Sequence, residues 1–285
     1  MNIVLMPKQT FKQSVDLFHR TMSKYFPDRT LELDILIAIC ASFFVKDITQ
    51  PIALFLLGNP ASGKSTLLEI IKELPVILWR DNLTSASLLS AAPNIEPGDQ
   101  LLHQLDRKVL TIPEFAPLAN NKEAKQLMPD FTRLLDGNSF VRHSGYGVIG
   151  STDAQKFNMI GAMVRVSPKL WDLFGNMGPR LVFLRLPDRE QSLDQTVTRL
   201  TKLSSDRSYT EKLEVARKIV LAFYQNITKF YPNGITWNKE DDHAETLDQI
   251  AKLAVLVAKM RAILPKQNQR YEGKALVEDP TRIFM

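Results

Sequence analysis

One run of eight residues constrains this chain more than any other: Gly58, Asn59, Pro60, Ala61, Ser62, Gly63, Lys64 and Ser65. It fits the pattern G-x-x-x-x-G-K-[ST], in which a glycine-rich turn wraps a chain of phosphates. The flanks fit too. Residues 52–57 form an apolar run of strand length, and residues 66–73 carry apolar side chains at helical spacing. Strand, loop and helix in that order aim backbone N–H groups and a helix N-terminus at negative charge. The pattern predicts that Gly58 through Thr66 hold a nucleotide triphosphate. Lys64 is then expected to reach the β- and γ-phosphates, and Ser65 to sit on the Mg²⁺.

A second feature is Val109-Leu-Thr-Ile-Pro113-Glu114-Phe115, a mostly apolar strand ending in an acid. An acid so placed beside a bound γ-phosphate can orient an attacking water. The alternative is a strand that merely ends in a Pro-Glu turn. Downstream, residues 122–136 read as a helix, broken near Pro129 and stopped by Gly137. Residues 138–150 read as a β-hairpin whose alternating side chains flank Ser144-Gly145, a dipeptide that turns easily.

The bulk properties are those of a globular protein. The chain has 285 residues, 45% hydrophobic and 24% charged, with a net charge of +5. Its isoelectric point near 9.2 permits contact with nucleic acid, but no Lys/Arg run argues for it. A single cysteine, Cys40, excludes an intramolecular disulfide framework and a cysteine zinc site. The start MNIVLMPKQTFKQ lacks a signal-peptide pattern, and the apolar run 35–45 is too short to span a bilayer, so a cytoplasmic protein is expected.

Three regions follow from the patterning. Residues 1–50 read as an N-terminal helical segment, with Phe11, Val15, Phe18, His19 and Met22 on one helix face. Residues 51–187 alternate strands and helices, the signature of a parallel sheet with crossover helices. The strands are expected at 52–57, 76–79, 109–112, 157–163 and 181–186. Residues 188–285 read as a helical lid, with long helices at 211–230 and 246–264.

With these motifs in this order, residues 51–187 resemble the AAA+ ATPases. The branch they resemble contains the minichromosome maintenance helicases, the enhancer-binding activators and ATPases of phages and mobile elements. The resemblance implies an α/β P-loop NTPase core, ATP and Mg²⁺ as ligands, and a homo-oligomeric ring or filament with nucleotide at its interfaces. It makes residues 140–148 the pre-sensor hairpin and residues 157–164 the first sensor strand. It gives Glu114 the catalytic place. Arg180, in Gly178-Pro179-Arg180-Leu181, takes the place of a finger reaching the neighbouring subunit's nucleotide. In the hairpin region Arg142, His143, Tyr146 and Lys156 become candidates for contact with DNA in a pore; a solvated hairpin is the alternative. The likeness continues into residues 251–261 as a lid helix and 278–282 as the start of a second-sensor helix. There Arg282 would touch the γ-phosphate in cis, or be a terminal arginine with no role. The chain ends at Met285, so the resemblance implies a truncated lid or a partner protein that completes it.

Two departures bear on activity. Pro113 stands where the metal-side Asp is usual, and proline can neither ligate nor donate. Met163 or Val164 stands where the sensor strand ends in a polar side chain. Losing one such contact costs ~10²-fold in rate. The reading is therefore an ATP-binding ATPase acting on DNA in replication, unwinding or remodelling. The alternative is a nucleotide-dependent assembly protein that recruits a partner enzyme and turns over little ATP. A small-molecule P-loop kinase fits less well, because such enzymes lack the hairpin and the Gly-Pro-Arg element. His19, His103 and His243 have no metal-ligand spacing, and Trp79, Trp171 and Trp237 read as packing residues.

Overall fold

The computed structural model describes residues 10–46, 50–92, 94–120, 124–144, 147–166, 170, 181–187, 209–236, 238, 240, 243–260, 266–267 and 270–271. Five strands form a parallel sheet: β1 (Ala53–Leu57), β2 (Ile77–Trp79), β3 (Val109–Ile112), β6 (Asn158–Met163) and β7 (Leu181–Arg185). A separate antiparallel hairpin, β4 (Phe140–Ser144) and β5 (Gly147–Ser151), interrupts their succession. The order across the sheet is β2-β3-β6-β1-β7, so β6 lies between β1 and β3. All five expected strands are present within a residue or so of their predicted ends.

The sheet is covered on both faces, which is why its strands are apolar without alternation. Leu54, Phe55 and Leu56 of β1 are fully buried, and successive side chains go to opposite faces. One face carries Leu54 and Leu56 into a core with α1 (Phe11–Tyr25), α2 (Thr30–Ala41) and α3 (Lys64–Ile71). The other carries Ala53 and Phe55 into a core with α6 (Phe115–Asn120) and α7 (Ala124–Leu135). Short helices α4 (Ser85–Leu88) and α5 (Leu101–Gln104) close that second core. At Gly161 of β6 an added Cβ would lie 2.7 Å from the Phe55 ring. Phe55 in turn meets Phe115 edge to face at 4.8 Å between centroids. Glycine is needed there for close approach of the layers.

The N-terminal helices dock through local signals and one buried amide. Thr10 and Gln13 form a reciprocal capping box that starts α1. On its buried face Phe18 and Met22 are as expected, but Ser14 is buried rather than Val15, and accepts from Asn226 Nδ2 at 2.9 Å. Asn158, 3% exposed at the start of β6, accepts from the Ile52 N–H and donates to Ile39 O and Ser42 Oγ. It joins the end of α2 to the sheet. Cys40, fully buried in α2, has its thiol pushed up to about 12 by burial.

Helix α7 runs through Pro129 without the predicted break. Interior proline costs ~3 kcal/mol through a lost hydrogen bond and a clash. Here Leu127, Met128, Phe131, Leu134 and Leu135 bury one face of the helix and hold it together. It stops before Gly137, whose φ of +69° favours glycine.

The chain divides into two compact units, Met1–Ile235 and Thr236–Met285. The first contains α8 (Tyr209–Phe230), which packs against α1 and α3. The sequence pattern grouped this helix with the lid beginning at residue 188; its buried face (Leu213, Ala216, Val220, Tyr224 and Ile227) instead shares the core of the N-terminal helices. The second unit contains α9 (Ala244–Met260) and a short hairpin, β8 (Lys266–Gln267) and β9 (Arg270–Tyr271). No described helix is long and apolar enough to cross a membrane.

Replacing Asn158 with Ala would strand a buried N–H and a buried carbonyl. We predict a loss of about 1–3 kcal/mol in unfolding free energy, measured by urea denaturation. An unchanged midpoint would mean that the amide does not join α2 to the sheet.

Candidate functional site

The turn from β1 to α3 lies at the C-terminal edge of the parallel sheet, where helix N-termini and strand ends converge. Gly58 continues β1, its N–H donating to Met163 O of β6 at 3.3 Å. On the other side of β1, Leu186 N–H donates to Leu57 O at 2.7 Å. Both neighbours therefore fix where the loop begins. Ser62 N–H closes a tight turn on Asn59 O at 3.1 Å. Ala61 has φ +61°, a left-handed conformation that costs a non-glycine residue about 1–2 kcal/mol. Gly63 has φ +92°, and its carbonyl takes the first helical bond, from Leu67. The N–H groups at the start of α3 are thus the orphan donors every helix presents.

The loop is too tight for larger residues. A Cβ at Gly58 would lie 2.7 Å from Ser62 Oγ. Lys64 turns back over the loop and donates to Gly58 O, Asn59 O and Ser62 Oγ at 2.6, 2.9 and 3.2 Å. Burial holds its ammonium below the ordinary lysine range. Lys64 is thus a partly buried cation held by two backbone carbonyls and the Ser62 hydroxyl, and a phosphate there would balance its charge. Ser65 is exposed at the first turn of α3. These residues fit a triphosphate. For a Mg²⁺ ion the fit is thinner: among the described residues no group of three His, Cys, Asp or Glu could hold a metal. Ser65 and phosphate oxygens would have to carry most of its ligation, a common arrangement for this ion.

Glu114 is exposed two residues beyond the end of β3, before α6 begins. With β6 between them, β3 and β1 lie about 10 Å apart at two strand spacings. That separation leaves room for a phosphate and a water between loop and carboxylate. Met163, at the end of the intervening strand, is 3% exposed and presents no polar group. Val164 beside it is 47% exposed.

Three side chains that motif reading missed brace the loop and its helix. Arg29 donates to Ser62 O at 2.7 Å. Tyr209 Oη lies 2.9 Å from Thr66 Oγ1. Arg217 of α8 donates to Glu69 O at 2.8 Å and pairs with the Glu69 carboxylate and with Glu73. None sits at a motif position, and each is more than 30 residues from its partner. A basic residue beside a helix turn was the only signal available.

The hairpin residues divide. His143 is exposed on β4 opposite Val148. Arg142 is not free: it pairs with Asp130 of α7 at 2.6 Å and donates to Leu89 O at 3.3 Å. Burial pushes the Asp130 carboxyl up, and Arg142 pulls it back. Lys156 is half-buried just before β6, at the opposite edge of the sheet from the loop, and its N–H donates to Asp106 Oδ1. Tyr146, Arg180 and Arg282 lie outside the described residues.

No protein-family model matches the sequence, and no curated protein matches it. Among solved structures the chain is similar to the A-form apo structure of the NrS-1 C-terminal region, with TM-score 0.38 and 14% identity over 90% of this chain and 57% of that one. A second structure of that region gives 0.40 and 12% over 88% and 55%. A structure described as SCCmec type IV Cch, active helicase, gives 0.41 and 14% over 90% and 42%. The chain spans about half the length of these structures.

Arg142→Ala should destabilise the protein by about 1–3 kcal/mol, because it leaves a partly buried carboxylate unpaired. Urea denaturation measures this; no change would show that Asp130 finds its solvation elsewhere.

Proposed function

We propose that the chain is an AAA+ ATPase core that binds ATP with Mg²⁺, assembles into a ring or filament and acts on DNA. The observation that carries this reading is the loop between β1 and α3. Its left-handed Gly63, its Cβ-free Gly58, its inturned Lys64 and the donors of α3 form a phosphate cradle at the sheet's C-terminal edge. Gly58 through Thr66 hold the phosphates. Lys64 balances charge on the β- and γ-phosphates, and Ser65 supplies a hydroxyl ligand to the metal. The metal adds charge neutralisation at the γ-phosphate. Glu114 orients the attacking water and accepts its proton. Arg180, supplied by a neighbouring subunit, stabilises charge on the transferring group, an effect worth ~10³-fold or more. Arg282 would meet the γ-phosphate in cis, and residues 251–261 would belong to the lid helix.

The DNA role rests on the hairpin and on the modest basic charge. His143, Tyr146 and Lys156 are the contacts proposed there. Arg142 would have to leave Asp130 to join them, and so contributes least.

Two observations favour a second reading, an assembly protein with little turnover. The end of β6 offers buried Met163 instead of a polar side chain, and Pro113 stands beside Glu114. Two missing contacts leave ATP binding intact while slowing phosphoryl transfer.

Titration calorimetry with ATP and Mg²⁺ tests the core of the proposal. Lys64→Ala should weaken ATP by well over tenfold, since a charge-assisted contact to phosphate is lost. Unchanged affinity would end the nucleotide assignment. Glu114→Gln should bind ATP as wild type does and lose turnover; equal hydrolysis rates would remove Glu114 from the water-positioning role.

Assembly and DNA binding are read together by imaging the protein with ATP, with and without DNA. Mixing Arg180→Ala with Lys64→Ala should restore some activity, because mixed assemblies contain intact interfaces. DNA affinity should fall with rising salt as counterions are released. No DNA binding at ~50 mM salt with ATP present would leave the assembly-protein reading.

A further inference from the structure

Arg29 belongs to no motif, yet it reaches the phosphate loop from the N-terminal helices. It ends the turn Pro27–Arg29 between α1 and α2 and is 5% exposed. Its guanidinium is divided between two acceptors. Nη1 donates to Glu32 Oε1 at 2.9 Å, and Nη2 donates to Ser62 O at 2.7 Å. Glu32, in the first turn of α2, is 6% exposed. Burying two charges this deeply incurs a desolvation penalty that their attraction scarcely repays, so stability alone is a poor reason for the pair.

Geometry supplies a better one. The Ser62 oxygen belongs to the peptide that joins Ser62 to Gly63. A peptide unit is planar and trans, so its carbonyl and its N–H point in opposite directions. With the oxygen held on Arg29, the Gly63 N–H is turned away from α2. A Cβ at Gly63 would lie 3.5 Å from Arg29 Nε, so the backbone passes close over the guanidinium. Gly63 also starts α3, where the first donors of the helix stand. Glu32 cancels the arginine's charge. Arg29 therefore acts on the loop's backbone and not as a further cation for phosphate.

We propose that Arg29, fixed by Glu32, is a positioning residue that sets the Ser62–Gly63 peptide for phosphate binding and couples the N-terminal helices to the nucleotide. This rests on reading Gly58 through Ser65 as a nucleotide loop. The planar guanidinium holds carboxylate and carbonyl on separate nitrogens in a fixed geometry, which the single rotatable ammonium of lysine does not reproduce. Coupling of this kind is reciprocal: if α2 orders the loop, bound nucleotide orders α2.

The test uses the full chain and ATP with Mg²⁺. Arg29→Met with Glu32→Leu removes both charges together, which leaves neither unpaired and preserves folding. Its ATP dissociation constant should rise at least about tenfold, the equivalent of one charge-assisted hydrogen bond, with the thermal midpoint little changed. Hydrogen exchange adds a readout that a purely structural role would not move. In wild type ATP should slow exchange of amides in Thr30–Ala41, and in the double variant it should not. Arg29→Lys, which keeps a cation for Glu32, should show the same losses and replaces the double variant if that fails to fold. Wild-type affinity and ATP-dependent protection in either folded variant would overturn the proposal alone. No ATP binding by wild type would overturn the nucleotide reading, and this proposal with it.

Discussion

Burial of β1 on both faces is the constraint from which the rest follows. Leu54 and Leu56 belong to one core, and Ala53 and Phe55 to the other. Removing each large side chain from water contributes about 1.5–3 kcal/mol, and pairing with β6 and β7 satisfies the backbone on both sides. A strand so enclosed cannot slip, because a shift of one residue would exchange its two faces. The residue after it is therefore held in place, and that residue is Gly58. Strain at Ala61 and the left-handed Gly63 persist because both ends of the loop are anchored.

The helix leaving the loop is braced as firmly as the strand entering it. Leu67, Leu68, Ile70 and Ile71 of α3 are buried against the core shared with α1, α2 and α8. Arg217 fastens α8 to its carboxylates and to a backbone carbonyl, and Arg29 fastens the preceding turn. Helices from both ends of the sequence thus meet on one side of the loop.

The same geometry separates binding from turnover. In the proposed nucleotide site, binding would depend on the loop, whose lysine and helix N-terminal donors stand together. Turnover depends on groups aimed at a water and at developing charge, and here the sheet edge offers less. Pro113 has no ligand to give, and Met163 is packed into the core instead of facing the loop. In the ATPase proposed above, Glu114 would be left to position the water, and turnover would lean on a neighbouring subunit.

Much of this was legible in the residues. Five apolar runs became five strands, because runs enclosed on both faces need no alternation to be recognised. The shape of the loop was legible because its tight approach at Gly58 and its left-handed turn at Gly63 both call for glycine, and both requirements are local. The hairpin was legible from its alternating side chains, although Ser144, expected in the turn, pairs with Gly147 in the ladder. Other features were not. Pro129 signals a break by itself, and only burial of Leu127 and Phe131 shows why α7 continues. Arg142 read as a free cation until the fold brought Asp130 to it. The residues 209–230 read as part of a lid, yet α8 completes the first core, since an amphipathic helix does not say which surface it will cover. The pairs Arg29–Ser62 and Arg217–Glu69 join residues far apart in the chain. A sequence states which groups can bond, spacing decides only those within a turn or two, and the packing of layers decides the rest.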